Sequence, residues 1–186
     1  MATNTNNVIT RGFRGKIGNL IFRMWGKKTV VSSAPSYKTL KWSKAQKENR
    51  RRFHDAMTWA RQAMEDPEKR LYYQKKAKKM QTPWNVAVAD FMKKPEIREI
   101  EVRNYHGKTG DTIEVKVWDK YMVAGVIVSI YDNRGVEVES GLAVETLTPF
   151  VRIYQSMEDN SNWKGGHVEV RVSDFPGNVT KSSLVL

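Results

Sequence analysis

The sequence predicts an α+β protein in three consecutive parts. A Gly-rich basic arm with a β-hairpin occupies residues 1–42, a small three-helix bundle residues 43–95, and an antiparallel β-sandwich residues 96–186. Three observations carry this division. The spacing of apolar residues switches from helical to alternating near Pro95. Asp66-Pro67 and Thr82-Pro83 each set a capping side chain before a proline at the first helical position. The charge reverses at the same place. Residues 1–99 hold 23 Lys and Arg against 8 Asp and Glu, a net of +15, whereas residues 100–186 hold 9 against 12, a net of −3.

Composition bounds the class. With 186 residues, 40% hydrophobic and 28% charged, the chain has globular values and room for one ordinary domain or two small ones. It has no cysteine, which excludes disulfides, thiolate metal sites and a cysteine nucleophile. No apolar run approaches the ~18 residues of a membrane span, and the opening MATNTNNVIT has no apolar core for a secretory signal. The expected setting is cytoplasmic, or a virion if the gene is carried by a phage. In that setting the sequon Asn178-Val179-Thr180 is inert.

The arm opens with Gly12, Gly15 and Gly18 spaced three apart, with Arg14 and Lys16 between. Neither phosphate-loop pattern is present, so the spacing reads as a flexible arm or a tight backbone path. Residues 19–25 and 29–32 flank Gly26-Lys27-Lys28 as two strands of a hairpin, and a loop follows at Ser33-Ala34-Pro35-Ser36.

Ser43 is the expected cap of the first helix, on which Phe53, Met57, Ala60 and Met64 recur on one face. Lys44, Lys47, Arg50, Arg51 and Arg52 crowd its first half, where cations oppose the helix dipole. A second helix, from Pro67 to about Met80, presents Tyr73, Ala77 and Met80, with Lys75, Lys76, Lys78 and Lys79 opposite. A third runs to about Met92 with Trp84, Ala87, Val88 and Phe91 in a stripe, and Pro95 ends the bundle. Beyond it Ile113, Val115 and Val117 alternate with polar residues, as do Val126, Val128 and Ile130, and Val168, Val170 and Val172. Turns at residues 106–110, 132–135 and 176–178 separate about seven short strands.

Residues 126–132 followed by a glycine turn, and Val170-Arg171-Val172-Ser173-Asp174-Phe175-Pro176-Gly177-Asn178, resemble bacterial immunoglobulin-like modules. The resemblance covers about half the chain and implies a fold, not an activity. Residues 12–35 are similar to the opening of uncharacterised proteins of bacterial genomes and mobile elements. Glu68, Arg70, Tyr73, Ala77, Lys78 and Lys79 resemble the start of the last helix of a high-mobility-group box. That likeness implies minor-groove DNA binding through basic side chains and an apolar wedge. The Pro-x-Asn opening of such a box stands afterwards, at Pro83-Trp84-Asn85.

Catalytic chemistry finds little support. His54, His106 and His167 are far apart without zinc spacing, and no serine elbow occurs. Glu137 and Glu139 alternate with Val136 and Val138, which reads as a solvated strand face. Asp132-Asn133 reads as a turn rather than a calcium loop. The expectation is a protein without catalytic residues, metal or cofactor.

Binding is the better-supported class. Concentrated positive charge repels itself unless a polyanion meets it. The expected nucleic-acid contacts are Lys44, Lys47, Arg50, Arg51, Arg52, Lys75, Lys76, Lys78 and Lys79 on phosphates, with Trp42 stacking or wedging. The arm's anchoring set is Arg11, Arg14, Lys16, Arg23, Lys27 and Lys28. The first reading is a two-module binder whose basic half engages nucleic acid, DNA foremost, without sequence preference. Its sandwich, or its arm, would then contact a protein partner or a second copy of the chain. The alternative is a structural part of a larger assembly such as a phage virion, with the arm as anchor and the sandwich displayed. Neither reading involves a membrane.

Overall fold

The structure is a computed structural model, and it describes residues 2–4, 12–35 and 41–186. Arg11 and Ser36 therefore lie outside the described residues. The protein is mixed α+β, with three helices and several antiparallel sheets. It divides into two compact units, Met1–Asn49 and Arg50–Leu186. No helix among the described residues is long and apolar enough to cross a membrane.

The first unit is built on a four-stranded sheet. Strands β1 (Ala2–Asn4), β2 (Gly15–Ile17), β3 (Leu20–Trp25) and β4 (Lys28–Ser33) pair antiparallel in the order β1-β4-β3-β2. Gly26, at φ +60°, opens the two-residue turn that pairs Trp25 with Lys28, a position where a side chain would be strained. The glycine spacing of the arm thus has a different outcome from a flexible path. Lys16 sits in a strand, and Gly15 pairs with Phe22. This sheet buries little: Phe22, Thr29 and Val30 are its only buried residues among those described.

Helix α1 (Lys44–Glu65) begins in the first unit and continues into the second. Ser43 caps it as expected. Its Oγ accepts from Gln46 N at 3.2 Å, and Gln46 Oε1 accepts from Ser43 N at 2.8 Å, a reciprocal box. The buried face differs from the expected one. Ala56, Ala60 and Ala63 are buried, while Phe53 is 48% exposed. Ala60 and Ala63 share one buried cluster with Tyr73, Val86 and Ala87.

Helices α2 (Pro67–Lys76) and α3 (Pro83–Met92) start where the proline signals put them. Asp66 accepts from Glu68 N and Lys69 N, and Thr82 Oγ1 accepts from Asn85 N. The end of α2 is four residues earlier than the spacing of Tyr73, Ala77 and Met80 suggests. Ala77 turns extended, its N–H going to Gln74 O and Tyr73 O, and Met80 adopts φ +69°. Lys78 and Lys79 consequently sit in the α2–α3 turn, not on a helix face.

Eight strands follow: β5 (Glu96–Glu101), β6 (Thr112–Trp118), β7 (Val123–Tyr131), β8 (Glu137–Leu142), β9 (Val144–Glu145), β10 (Val151–Gln155), β11 (His167–Asp174) and β12 (Val179–Val185). They form two antiparallel sheets, β5-β6-β10-β9 and β12-β11-β7-β8. One core joins them. Ile113, Val115, Val117 and Tyr154 come from the first sheet; Val126, Val128, Ile130, Val168, Val170 and Val172 come from the second. Each such aliphatic side chain contributes about 1.5–3 kcal/mol by leaving water.

Glu139, expected on a solvated face, links these sheets. It accepts from Tyr154 Oη at 2.9 Å, Ser156 Oγ at 2.6 Å and Met157 N at 2.8 Å. A carboxylate half-withdrawn from water needs such donors. Glu137 accepts from Tyr131 Oη at 2.9 Å. The helices are not separate from the sheets. Phe175, after β11, meets the rings of Tyr72, Tyr73 and Trp59 at 5.0, 6.0 and 6.3 Å between centroids. Asn178 Nδ2 donates to Phe91 O at 3.0 Å, and Thr180 Oγ1 to Pro95 O at 2.6 Å.

Candidate nucleic-acid interface

The expected phosphate-binding residues fall into several places. Lys44 and Lys47 lie exposed in the first turns of α1. Arg50 and Arg51 are exposed in the second unit's part of that helix. Three consecutive helical residues project about 100° apart, so Arg50, Arg51 and Arg52 do not share a face. Arg52 turns inward, where Nη2 donates to Met92 O at 3.3 Å. It acts as a helix tie. Trp42 is 46% exposed, just ahead of the Ser43 cap.

Lys75, Lys76, Lys78 and Lys79 are brought together by the early end of α2. The first two stand in its last turn, where cations complement the helix dipole, and the others in the turn beyond, all exposed. Lys76 Nζ lies 5.7 Å from the Tyr72 ring centroid. Of the arm set, Lys16, Arg23 and Lys28 lie in strands, Lys27 in the turn and Arg14 just before β2, all exposed.

The electrostatic contrast with the sheets of the second unit is sharp. There Lys116 pairs with Glu99 at 2.7 Å, Arg134 with Asp132 at 2.9 Å, Lys181 with Glu169 at 3.0 Å and Arg152 with Glu145 at 3.0 Å. Both partners of the first pair respond, the lysine holding the Glu99 carboxyl low and the carboxylate holding Lys116 high. Among the described residues, no carboxylate lies within ion-pair distance of Lys44, Lys47, Lys75, Lys76, Lys78 or Lys79. Residues 1–47 contain ten Lys and Arg and no Asp or Glu, and Glu48 is the first acid of the chain.

Other chemistry is locally absorbed. Asp132 Oδ1 accepts from Arg134 N and Val136 N, so its oxygens close a turn. Among the described residues no group of three His, Cys, Asp or Glu is placed to hold a metal ion. Asn178 of the sequon has its amide bonded to Phe91 O and Asp174 Oδ2.

One buried polar chain, not evident from residue spacing, joins the three helices. Trp59 Nε1 donates to Tyr73 Oη at 3.3 Å, and Tyr73 Oη donates to Asp90 Oδ2 at 2.8 Å. Burial pushes the Asp90 carboxyl up to about 7, with the nearby Asp119 and Asp174 adding to the effect and the Tyr73 hydroxyl opposing it. Burial pushes Tyr72 up to about 12 and raises Tyr73 as well. The available signal was an acid at four residues from Val86 and three from Ala87, on the buried stripe of α3. Its effect is to tie α1, α2 and α3 together.

No family model matches the chain, and neither a curated protein nor a solved structure matches it.

Proposed function

We propose that the protein is a non-enzymatic binder in which the basic N-terminal half holds a nucleic-acid backbone without sequence preference. The two C-terminal sheets, in this reading, form an immunoglobulin-like sandwich that contacts a protein partner, and the β3–β4 hairpin belongs to a basic arm. One observation carries the nucleic-acid reading: ten cations and no acid over residues 1–47, followed by the exposed lysines Lys75, Lys76, Lys78 and Lys79, which have no carboxylate partner among the described residues. Unpaired cations that release phosphate counterions give affinity that falls steeply with salt. Charges already paired within the fold, as in the C-terminal sheets, give little.

The test is a fluorescence-anisotropy titration of the full chain with a 20-base-pair duplex at several salt concentrations. If about five lysines reach phosphates, log affinity falls against log salt with a slope of roughly −4 to −5. Replacing Lys75, Lys76, Lys78 and Lys79 by Gln weakens binding equally for unrelated sequences and flattens the slope. Absence of binding at 50 mM salt, or no effect of the four substitutions, removes the reading.

A second reading is supported by the small core of the first unit, where Ile17, Leu20 and Trp25 remain exposed. A sheet covered so little gains by being buried in neighbours, as in a component of a phage virion or similar assembly. A ring or defined multimer in solution, formed without nucleic acid, is the result that favours it.

A further inference from the structure

The first unit's sheet has one face on which charge, an exposed indole and a depression coincide. Cross-strand partners in an antiparallel pair lie on the same face. Lys16 pairs with Ile21, Ile21 with Ser32, Arg23 with Val30, and Trp25 with Lys28. Alternation along β3 keeps Ile21, Arg23 and Trp25 together. This face therefore carries Lys16, Arg23 and Lys28 around Trp25. The opposite face carries Phe22, partly covered by the ring of Phe13 at 5.7 Å between centroids.

Trp25 is 68% exposed. Beside it a depression of about 250 Å³ is lined by Arg23, Met24, Trp25, Val30 and Ser32. That volume is below the ~300–1,000 Å³ of pockets for drug-sized ligands and suits one ring system. The occupant follows from the charges. A second copy of this sheet is repelled, because residues 1–47 supply ten cations and no anion. A matching ligand is polyanionic and offers planar apolar rings at short intervals. Duplex DNA offers the anions but keeps its ring faces stacked inside. An unpaired strand offers both.

We propose that this face binds single-stranded nucleic acid. One base stacks on Trp25 over the depression, and Lys16, Arg23 and Lys28 hold the flanking phosphates. The proposal rests on the nucleic-acid reading above and adds the strand type and the stacking surface. Residues two apart on a strand are about 7 Å apart, so Arg23 and Trp25 address a phosphate and a base of the same or adjacent nucleotides. The stacking is tolerant of sequence, since every base has a ring face.

The experiment uses the full chain with a dT15 strand, an rU15 strand and a 15-base-pair duplex, by anisotropy at 50 and 150 mM salt. Both single strands are expected to bind. Trp25→Ala is expected to weaken their binding about tenfold while duplex binding stays within twofold. Trp25→Tyr, which keeps a stacking ring, stays within threefold of the native chain. Arg23→Gln with Lys28→Gln reduces the salt slope for the single strands by about 1.4, two phosphates at ~0.7 each. An unchanged melting curve for Trp25→Ala shows that the sheet is intact. If Trp25→Ala changes single-strand binding less than twofold while replacing Lys75, Lys76, Lys78 and Lys79 by Gln still weakens it, the stacking proposal falls and the phosphate reading stands. If neither single strand nor duplex binds at 50 mM salt, both fall.

Discussion

The N-terminal sheet and the paired C-terminal sheets follow the same strand geometry with opposite results. In β6, β7 and β11 three alternate positions of each strand are Val or Ile, and all nine are buried in one core. β3 is apolar at five of its six positions, yet only Phe22 of that strand is buried. Charge differs in parallel. Lys116, Arg152 and Lys181 of the C-terminal sheets pair with carboxylates, whereas residues 1–47, which hold the N-terminal sheet, contain no Asp or Glu. A strand makes a core only where a second layer receives it. Among the described residues β3 leaves Leu20 and Trp25 exposed, and the charge around them selects what can bind there.

The largest effect expected from this comparison is in the C-terminal core. Ile130 is fully buried in the middle of it. Ile130→Ala should cost about 3–4 kcal/mol, from lost transfer energy and the cavity left behind. Urea unfolding followed by circular dichroism measures it. A cost under about 1 kcal/mol would show that the two sheets are not packed as tightly as their burial indicates.

Next comes the pH dependence of the helical part, which buries a carboxyl where the sheets bury valine. Asp90 has its folded value raised from 3.8 to about 7. The folded state thus holds the proton more tightly than the unfolded chain does. The stabilisation is complete below about pH 4, is lost as pH rises towards 7, and changes no further above that. Asp174 is also raised by burial and acts in the same direction. The lowered acids Asp66, Asp111, Asp132 and Asp159 act oppositely, losing their contribution as pH falls below about 4. Asp90→Asn isolates the contribution of Asp90, because the other acids remain in both proteins. The stability of the native chain relative to Asp90→Asn should decline by roughly 2–3 kcal/mol between pH 4.5 and 8. A difference that stays flat across that range removes Asp90 as the titrating group.

Legibility in the sequence follows the same division. The starts of α2 and α3 were readable because Asp66-Pro67 and Thr82-Pro83 are local signals that nothing distant overrides. Strands β6, β7 and β11 were readable because both of their neighbours are strands and their buried face is uniform. The end of α2 was not. Tyr73, Ala77 and Met80 keep helical spacing through a stretch where the backbone has already turned at Ala77. The buried face of α1 was misplaced because its contacts are made by Ala56, Ala60 and Ala63, whereas hydrophobic size points to Phe53. Of the candidate interface, charge was legible but company was not. Spacing could not show that Arg52 turns in to Met92, nor that Glu139 bridges two sheets.

A smaller effect tests the junction of helices and sheets. Phe175 is half-buried against Tyr72, Tyr73 and Trp59. Phe175→Ala should cost about 2 kcal/mol, below the range for a fully buried ring. A fragment of residues 96–186, which lacks those aromatics and the bonds to Phe91 and Pro95, should fold as an all-β unit with a lower melting temperature than the full chain. Equal melting temperatures would mean that the sheets draw no stability from the helices.

The smallest effect completes the contrast with Ile130. Trp25 is larger than Ile130 and just as regularly placed on its strand, but it is exposed and stands beside a glycine turn. Burial, not size, sets the cost of truncation. Trp25→Ala should therefore change the unfolding free energy by less than about 0.5 kcal/mol. The measurement is the same urea titration used for Ile130→Ala, made without nucleic acid and repeated with a saturating dT15 strand. Without the strand the two proteins should unfold together. With it, the native chain should gain stability by mass action and Trp25→Ala should gain less, because it binds less tightly. A cost of 2 kcal/mol or more in the free protein would place Trp25 in a core of its own and end the view of that face as a binding surface.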